Sequence, residues 1–197
     1  MSANLNVSLV GVGGQGILLA GEILCKLALL AGKDVKKSEV HGMAQRGGSV
    51  VGQVRIGERV HSPLIATGES DFLVAFEKVE ALRFSHELRP GGVAVVNDQE
   101  IRPVTVTSGP SEWPSDLDGR LHAAFPRLDV VPALAIATGL GDVRVVNVVM
   151  IGALSRHLDF PGELWRNAIS ALVPAKVVRV NLDAFEAGKS AVAGPGD

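Results

Sequence analysis

The stretch that decides the fold is NVSLVGVGGQGILLAGEILCKLALLA, from Asn6 to Ala31. Its first seven residues, ending at Val12, are mostly apolar and predict a short buried strand. Residues 17–31 are apolar on nearly every side and predict a buried helix with one exposed ion pair, between Glu22 and Lys26. The glycine-rich turn between them follows a strand and opens a helix, the context in which such turns approach phosphate groups.

The rest of the first half repeats this alternation of strand and helix. Strands are predicted at 34–40, 49–57, 70–76 and 93–97, with a helix over 77–88 that ends at the run Arg89-Pro90-Gly91-Gly92. Strands that alternate with helices favour a mostly parallel sheet covered on both faces. We therefore predict a single Rossmann-like α/β domain over residues 1–190, followed by a disordered tail over 191–197.

The second half is less regular along the sequence. Residues 107–119 are rich in Pro, Gly, Ser and Asp and predict an exposed excursion, whereas 128–141 predict a strand that runs into a helix. Three more helices are expected, the first with Asn147 as its N-cap, the second beginning near Pro161, and the last over 174–188.

Composition and charge exclude several classes of function. The chain has 197 residues, of which 47% are hydrophobic and 20% charged, and its net charge of -2 gives no general attraction to nucleic acid or anionic membranes. No apolar run reaches the roughly 18 residues needed to span a bilayer, and the N-terminus lacks a signal peptide, so a cytoplasmic location is expected. The single cysteine, Cys25, excludes an intrachain disulfide and an iron–sulfur cluster held by this chain alone.

The glycine loop satisfies G-x-G-x-x-G and is the first candidate site. Glu39 stands at the end of the second predicted strand, where an acid that binds a ribose would lie, which favours NAD or FAD. Two alternatives stay open, namely close packing of strand on helix without a ligand, and another phosphate-bearing ligand. The candidate residues of this loop are Gly11, Gly13, Gly14, Gln15 and Gly16.

A second polar cluster follows Glu39 directly, in the run EVHGMAQRGG. Arg46 beside two glycines is suited to a cationic turn that faces an anion, or equally to an ion pair with Glu39 that shapes the loop. In either case the cluster can share the crevice at the carboxyl ends of the strands with the glycine loop, and meet a ligand or another subunit there. Its candidate residues are Glu39, His41, Gln45, Arg46, Gly47 and Gly48.

Five runs of sequence together carry a resemblance to a known family. They are GVGGQGILLAGEILCKLAL, SEVHGMAQRGGSVVGQVRIG, SPLI, SDFLVAFEKVEALR and NVVMIGAL. With them the chain resembles the gamma-type subunit or domain of the 2-oxoacid:ferredoxin oxidoreductases, and most of all the beta subunit of the indolepyruvate enzymes. The likeness is dense from Val7 to about Pro103 and thins around Trp113.

The resemblance implies a subunit of an enzyme that oxidatively decarboxylates 2-oxoacids, arylpyruvates in the indolepyruvate enzymes, to acyl-CoA. Thiamine diphosphate and iron–sulfur clusters belong to a larger catalytic partner that passes electrons to ferredoxin, and coenzyme A is a cosubstrate. This chain is then expected to hold no cofactor or metal, to contribute no catalytic residue, and to be inactive alone. The family's loops match Gly13 to Gly16, the cluster from His41 to Gly48, and a third loop at Ser62 and Pro63. A stand-alone NAD(P)-dependent oxidoreductase and a non-catalytic nucleotide-binding module are the alternatives.

Overall fold

The computed structural model describes residues 4–41, 48–102 and 114–193, with His41 described in its backbone only. Six strands form one sheet in the order β2-β3-β1-β4-β5-β6. β3 is antiparallel to both of its neighbours, whereas β1, β4, β5 and β6 pair in parallel, so the predicted mostly parallel sheet is confirmed. The strands are β1 (Leu5–Val12), β2 (Asp34–His41), β3 (Ser49–Gly57), β4 (Ser70–Ala75), β5 (Leu88–Asn97) and β6 (Leu128–Val131).

Helices cover both faces of this sheet, as the α/β prediction requires. One apolar core joins α1, α4, α5, α6 and α7 to the first face, and a smaller core joins α2 and α3 to the second. Within the described ranges the helices are α1 (Ile17–Leu30), α2 (Lys78–Arg83), α3 (Leu117–Ala124), α4 (Ala133–Gly139), α5 (Val146–Ser155), α6 (Gly162–Leu172) and α7 (Val178–Ser190). No helix in this part of the chain is both long and apolar enough to cross a membrane.

Helix α5 is the centre of the larger core and packs against α7 at close range. All ten of its residues are buried. A Cβ atom on Gly152 would lie 2.1 Å from the carbonyl oxygen of Phe185, and one on Gly188 would lie 2.0 Å from that of Val149. These two glycines therefore allow backbone-to-backbone contact between the helices, which fixes where α5 begins relative to the sheet.

Three local predictions are wrong, each for a tertiary reason. Glu22 pairs with Lys37 of β2 and not with Lys26, because β2 packs beside α1. The helix after β4 ends at Arg83, and the run Arg89-Pro90-Gly91-Gly92 belongs to β5, where pairing with β4 continues around it. Asn147 lies in the first turn of α5 and not at its N-cap, which is Val145, because its side chain reaches the glycine loop.

Candidate functional site

The carboxyl edge of the parallel strands brings Gly48, the last residue of the second predicted cluster, beside the glycine loop. The glycine loop follows β1, and Gly48 precedes β3, whose antiparallel direction places its first residue at the same edge. The N–H of Gly13 donates to the carbonyl oxygen of Gly48 across 2.9 Å. The segment that joins β2 to β3 therefore ends against the glycine loop. Residues 42–47, with the predicted Gln45, Arg46 and Gly47, lie outside the described residues.

Gln15 is folded back into the loop and does not point outward. Its Oε1 accepts the N–H of Val12 at 2.7 Å, and its Nε2 donates to the carbonyl oxygen of Phe76 at 2.8 Å and to Oε1 of Gln99 at 3.2 Å. A Cβ on Gly11 would lie 2.7 Å from that same Oε1. Gly11 is thus explained by the packing of Gln15, and Gln15 ties together the ends of β1, β4 and β5.

The remaining glycines of the loop set the start of α1. Gly14 and Gly16 have φ of 102° and 77°, a region that L residues rarely adopt. Gly16 is the N-cap of α1, and no side chain caps the helix. The first amide groups of α1 are therefore without a capping side chain, and such amides favour an anion at a helix N-terminus.

A cleft of about 460 Å³ opens beside this helix start. A neighbouring cleft of about 200 Å³ shares Leu19 and Arg144 with it and extends to Lys176, so the two form one groove. The Arg144 side chain is 79% exposed and pairs with Asp142 through Nε and Nη2 at 2.8 and 2.7 Å. Hydrogen bonds from Arg144 lower the pKa of Asp142 to about 2. The larger cleft is lined by Gly14, Gln15, Gly16, Leu19, Gln99, Leu134, Val143, Arg144, Val146 and Asn147.

An ionic cluster around the buried Lys78 lies at the same edge, with its carboxylate partners exposed. The Nζ of Lys78 lies 2.6 Å from Asp98 and 2.8 Å from Asp118, although the lysine is nearly buried. Burial opposes its charge, but the hydrogen bonds that Lys78 donates to these carboxylates outweigh that effect and raise the pKa of Lys78. Glu77 is buried beside it, and burial raises the pKa of its carboxyl although the N–H groups of Glu80 and Ile101 donate to it.

Asn97 holds the next strand end in place. Its Nδ2 donates to the carbonyl oxygen of Phe76 at 3.1 Å, and its Oδ1 accepts the N–H of Ala133 at 3.2 Å. Asn97 therefore accepts the first N–H of α4, and both ends of its side-chain amide are used within the protein.

Two predicted site residues lie away from the glycine loop. β3 separates β2 from β1, so Glu39 stands two strand spacings, about 10 Å, from the strand that carries the loop. Its carboxylate lies 2.7 Å from Nζ of Lys37. Ser62 lies near the opposite edge, where its carbonyl oxygen accepts from Arg55, a residue paired with Asn6 at the start of β1. The site that the structure assembles is thus the glycine loop, Gly48, Gln99, Arg144 and Asn147.

Gln99, Arg144 and Asn147 were not predicted as site residues. Gln99 follows β5 and Arg144 lies in a short 3-10 helix before α5, and no local motif singles out either residue. Asn147 is a polar residue at the start of an apolar stretch, a pattern that predicts a helix N-cap and not a site residue. Only the folded chain places them beside a loop that is 83 or more residues earlier in the sequence.

A mixed α/β sheet with a glycine loop at its carboxyl edge is typical of nucleotide-binding folds. Comparison with known proteins identifies the family within that fold class. Residues 6–191 match the pyruvate ferredoxin/flavodoxin oxidoreductase family. The chain belongs to this family, as a subunit of a 2-oxoacid:ferredoxin oxidoreductase, and the predicted resemblance is confirmed.

Two curated relatives and one solved structure match this chain along nearly their whole length. Indolepyruvate oxidoreductase subunit IorB of Thermococcus kodakarensis is 39% identical, over 94% of this chain and 95% of that protein. The same subunit of Pyrococcus horikoshii is 40% identical, again over 94% and 95%. Among solved structures, the keto/oxoacid ferredoxin oxidoreductase gamma subunit of Geobacter sulfurreducens superposes with a TM-score of 0.70 at 25% identity, covering 95% of this chain and 97% of that one.

Proposed function

We propose that this chain is the subunit without redox cofactors in an indolepyruvate or related arylpyruvate:ferredoxin oxidoreductase. A larger partner holds thiamine diphosphate and iron–sulfur clusters, and the complex oxidatively decarboxylates the oxoacid to acyl-CoA in the cytoplasm and reduces ferredoxin. The chain alone is inactive. The observation that carries this proposal is the near full-length match to subunits of indolepyruvate oxidoreductases.

The cysteine content of the chain supports a role in which it holds no iron–sulfur cluster of its own. Cys25 is the only cysteine in the sequence, and it lies half-buried in the middle of α1. Iron–sulfur clusters are commonly held by four thiolates, which this chain does not supply. Electron transfer in the complex is therefore assigned to the partner.

The geometry of the loop disfavours the NAD(P)-dependent alternative. A dinucleotide site of the Rossmann type uses an acid on the strand next to β1 to bind the ribose, and here that neighbour is β3. Glu39 lies one strand further away and is paired with Lys37. The glycine spacing thus serves the packing of Gln15 and the uncapped start of α1.

The groove beside α1 is the surface that we assign to the catalytic partner and to coenzyme A. It combines exposed apolar side chains, among them Leu134 and Val143, with the cationic Arg144 and Lys176. Apolar contact suits a protein interface, and Lys176 with the amides of α1 suits phosphate groups, whereas the charge of Arg144 is already paired with Asp142. This chain would thereby hold the cosubstrate and exclude water at the interface, and the partner would carry out the chemistry.

Copurification tests the proposal. The tagged chain, expressed with the larger subunit from the same organism, should retain that subunit together with iron and thiamine diphosphate, and should reduce ferredoxin with indolepyruvate and coenzyme A. Val143→Glu should weaken retention, since it places a charge on a groove residue that is 56% exposed. Leu29→Glu is the matched control, because Leu29 is 61% exposed at the far end of α1.

The outcomes separate two claims. A chain that retains no iron- or thiamine-bearing partner, or that oxidises a substrate alone with NAD, would overturn the proposed function. Equal retention of the partner by Val143→Glu and Leu29→Glu would leave the function in place and remove the groove as its interface.

A further inference from the structure

A second cavity lies at the amino edge of the sheet, opposite the glycine loop. It measures about 400 Å³, within the range of small-molecule pockets. β1 runs from this cavity at Leu5 to the glycine loop at Val12, so the two sites are about 23 Å apart. We name it the amino-edge cavity, lined by Asn4, Leu5, Asp71, Phe72, Arg89, Gly91, Val93, Arg127 and His157.

An irregularity in the strand pairing builds one wall of this cavity. Ser70 pairs with Leu88 and Phe72 pairs with Val93, so a single residue of β4, Asp71, opposes four residues of β5. Those four are the run Arg89-Pro90-Gly91-Gly92. Bulges of this kind redirect side chains and recur next to binding sites. The run that was predicted to stop a helix thus turns backbone and a guanidinium toward a cavity.

Two arginines, Arg89 and Arg127, line the cavity at the bulge, and the guanidinium of each is oriented by the protein. Nε of Arg89 lies 2.6 Å from Oδ1 of Asp71, whose other oxygen accepts the N–H of Asn6 at 2.8 Å. Nη1 of Arg127 donates to the carbonyl oxygen of Gly91 at 3.0 Å. A guanidinium carries five N–H donors. Among the residues that the structure describes, one nitrogen of each arginine is engaged, and the other two are left to bind a ligand.

His157 supplies a polar group from the buried side. Its side chain is only 9% exposed, and its Nε2 lies 2.6 Å from Oδ2 of Asp129. Its ring stands 5.9 Å from the ring of Phe72, which lines the same cavity. Since Asp129 is taken up by His157 and Asp71 by Arg89, the carboxylates near the cavity are already paired, and the second arginine, Arg127, adds positive charge.

From this arrangement we infer that the amino-edge cavity binds a small oxyanion-bearing molecule, whose carboxylate or phosphate group is held by Arg89 and Arg127. The two arginines offer the forked donors that fit such groups. The apolar side chains of Leu5, Phe72 and Val93 line the same space and suit a short hydrocarbon or aromatic body on the ligand. This inference does not depend on the proposed function, because it uses neither the groove nor the partner.

Calorimetric titration of the full-length chain tests it, with inorganic phosphate and phenylacetate as the probes at low ionic strength. We expect one saturable site per chain. Arg89→Gln and Arg127→Gln should each weaken binding at least tenfold. Arg179→Gln should leave it unchanged, because Arg179 is 94% exposed on α7, away from the cavity, and pairs only with Asp183 among the described residues. Circular dichroism and thermal unfolding check that each variant is folded.

The two probes also separate the possible ligands. Tighter binding of phenylacetate than of phosphate assigns the site to a carboxylate with an apolar body, and the reverse order assigns it to a phosphate ester. Two results would overturn the inference. One is the absence of saturable binding tighter than about 10 mM for either probe. The other is equal affinity in wild type, Arg89→Gln and Arg127→Gln.

Discussion

Asn147 donates a hydrogen bond from Nδ2 to the carbonyl oxygen of Gly16, 3.2 Å away, across 131 residues of sequence. Its Oδ1 accepts the N–H of Val148 at 3.0 Å. The side chain also fills the space in which a Cβ of residue 16 would lie, 2.7 Å from that position. The start of α5, the most buried helix, therefore holds the loop from which α1 begins.

Asn147→Ala should destabilise the fold and loosen the glycine loop. Removing a buried side chain that makes two hydrogen bonds is expected to lower the free energy of unfolding by about 1–2 kcal/mol, measured by urea denaturation. Binding of the catalytic partner should weaken in the same variant, because the loop lies beside the proposed interface.

Ser155→Ala provides the control on the same helix. Ser155 is buried at the other end of α5 and donates to the carbonyl oxygen of Gly152 at 2.6 Å. It should lower stability without affecting assembly. If Asn147→Ala assembles as well as Ser155→Ala does, the loop is not part of the interface.

A substitution at Gln15 tests whether the hydrogen bonds of its side-chain amide stabilise the fold. In Gln15→Glu the carboxylate keeps an acceptor for Val12 but turns its second oxygen toward the carbonyl oxygen of Phe76 and Oε1 of Gln99. Because acceptors then face each other in a partly buried site, the loss of stability should be about 1–3 kcal/mol at neutral pH. Lowering the pH toward the pKa of the new carboxyl should recover part of it, because a protonated oxygen can donate. A variant as stable as wild type at pH 7 would show that Gln15 turns outward in solution.

The parts of the fold that were predicted correctly are those encoded locally. The strand from Asn6, the glycine turn and the helix over 17–31 are contiguous, and each follows from periodicity or from a residue with special backbone freedom. The third strand was predicted at 49–57, and these bounds match β3. Hydrophobic periodicity does not specify which strands pair with one another in the sheet. The insertion of β3 between β1 and β2 moves Glu39 away from the loop, and only the sheet order shows it.

The candidate site also has parts that the sequence predicts and parts that only the fold reveals. Glycine spacing predicted the loop, but not that Gly11 accommodates Gln15 or that Gly16 accommodates Asn147, since both contacts depend on side chains placed by the fold. The family resemblance assigned Ser62 to a third loop, and the structure places that residue near the opposite edge of the sheet, beside Arg55. Residues far apart in sequence were beyond prediction because no local rule relates them.

Cys25 should react slowly with thiol reagents in the folded chain. Burial raises the pKa of its thiol from 9.0 to about 11, although nearby Lys37 opposes that shift. The thiolate is the reactive form, so labelling by iodoacetamide at pH 8 should be about a hundredfold slower than for an exposed cysteine, and denaturation should restore the ordinary rate. Lys37→Gln should slow it further. Equal rates in the native and the denatured chain would contradict the raised pKa.

The raised pKa of Cys25 also predicts how the free energy of unfolding changes at high pH. Between pH 9 and 11 the folded chain keeps the thiol proton, whereas the unfolded chain releases it. The free energy of unfolding should therefore decrease as the pH rises through this window. Cys25→Ser should remove that part of the pH dependence, which urea denaturation at pH 8 and pH 10.5 would measure.

Arg46 lies outside the described residues, but both ends of its segment are fixed. β2 ends at His41, and Gly48 accepts the N–H of Gly13. Gly48, which follows this segment, lies against the glycine loop, near the groove where we proposed that coenzyme A and the partner meet. If its guanidinium holds an anion, Arg46→Ala should cost about 1.5–3 kcal/mol, roughly ten- to a hundredfold in the apparent affinity for coenzyme A. Arg46→Lys should recover little, because an ammonium cannot make the forked contact.

Gel filtration beside the coenzyme A titration decides between the two roles that the sequence left open for Arg46. An intact complex with weakened dependence on coenzyme A indicates that the arginine contacts the cosubstrate, since assembly then survives without it. A dissociated complex indicates that the arginine orders the interface, and the kinetic loss follows from the missing partner. Wild-type assembly and kinetics in Arg46→Ala would leave only a turn shaped by local pairing, with Glu39 as the nearest acid in sequence, and the functional role of this segment would be withdrawn.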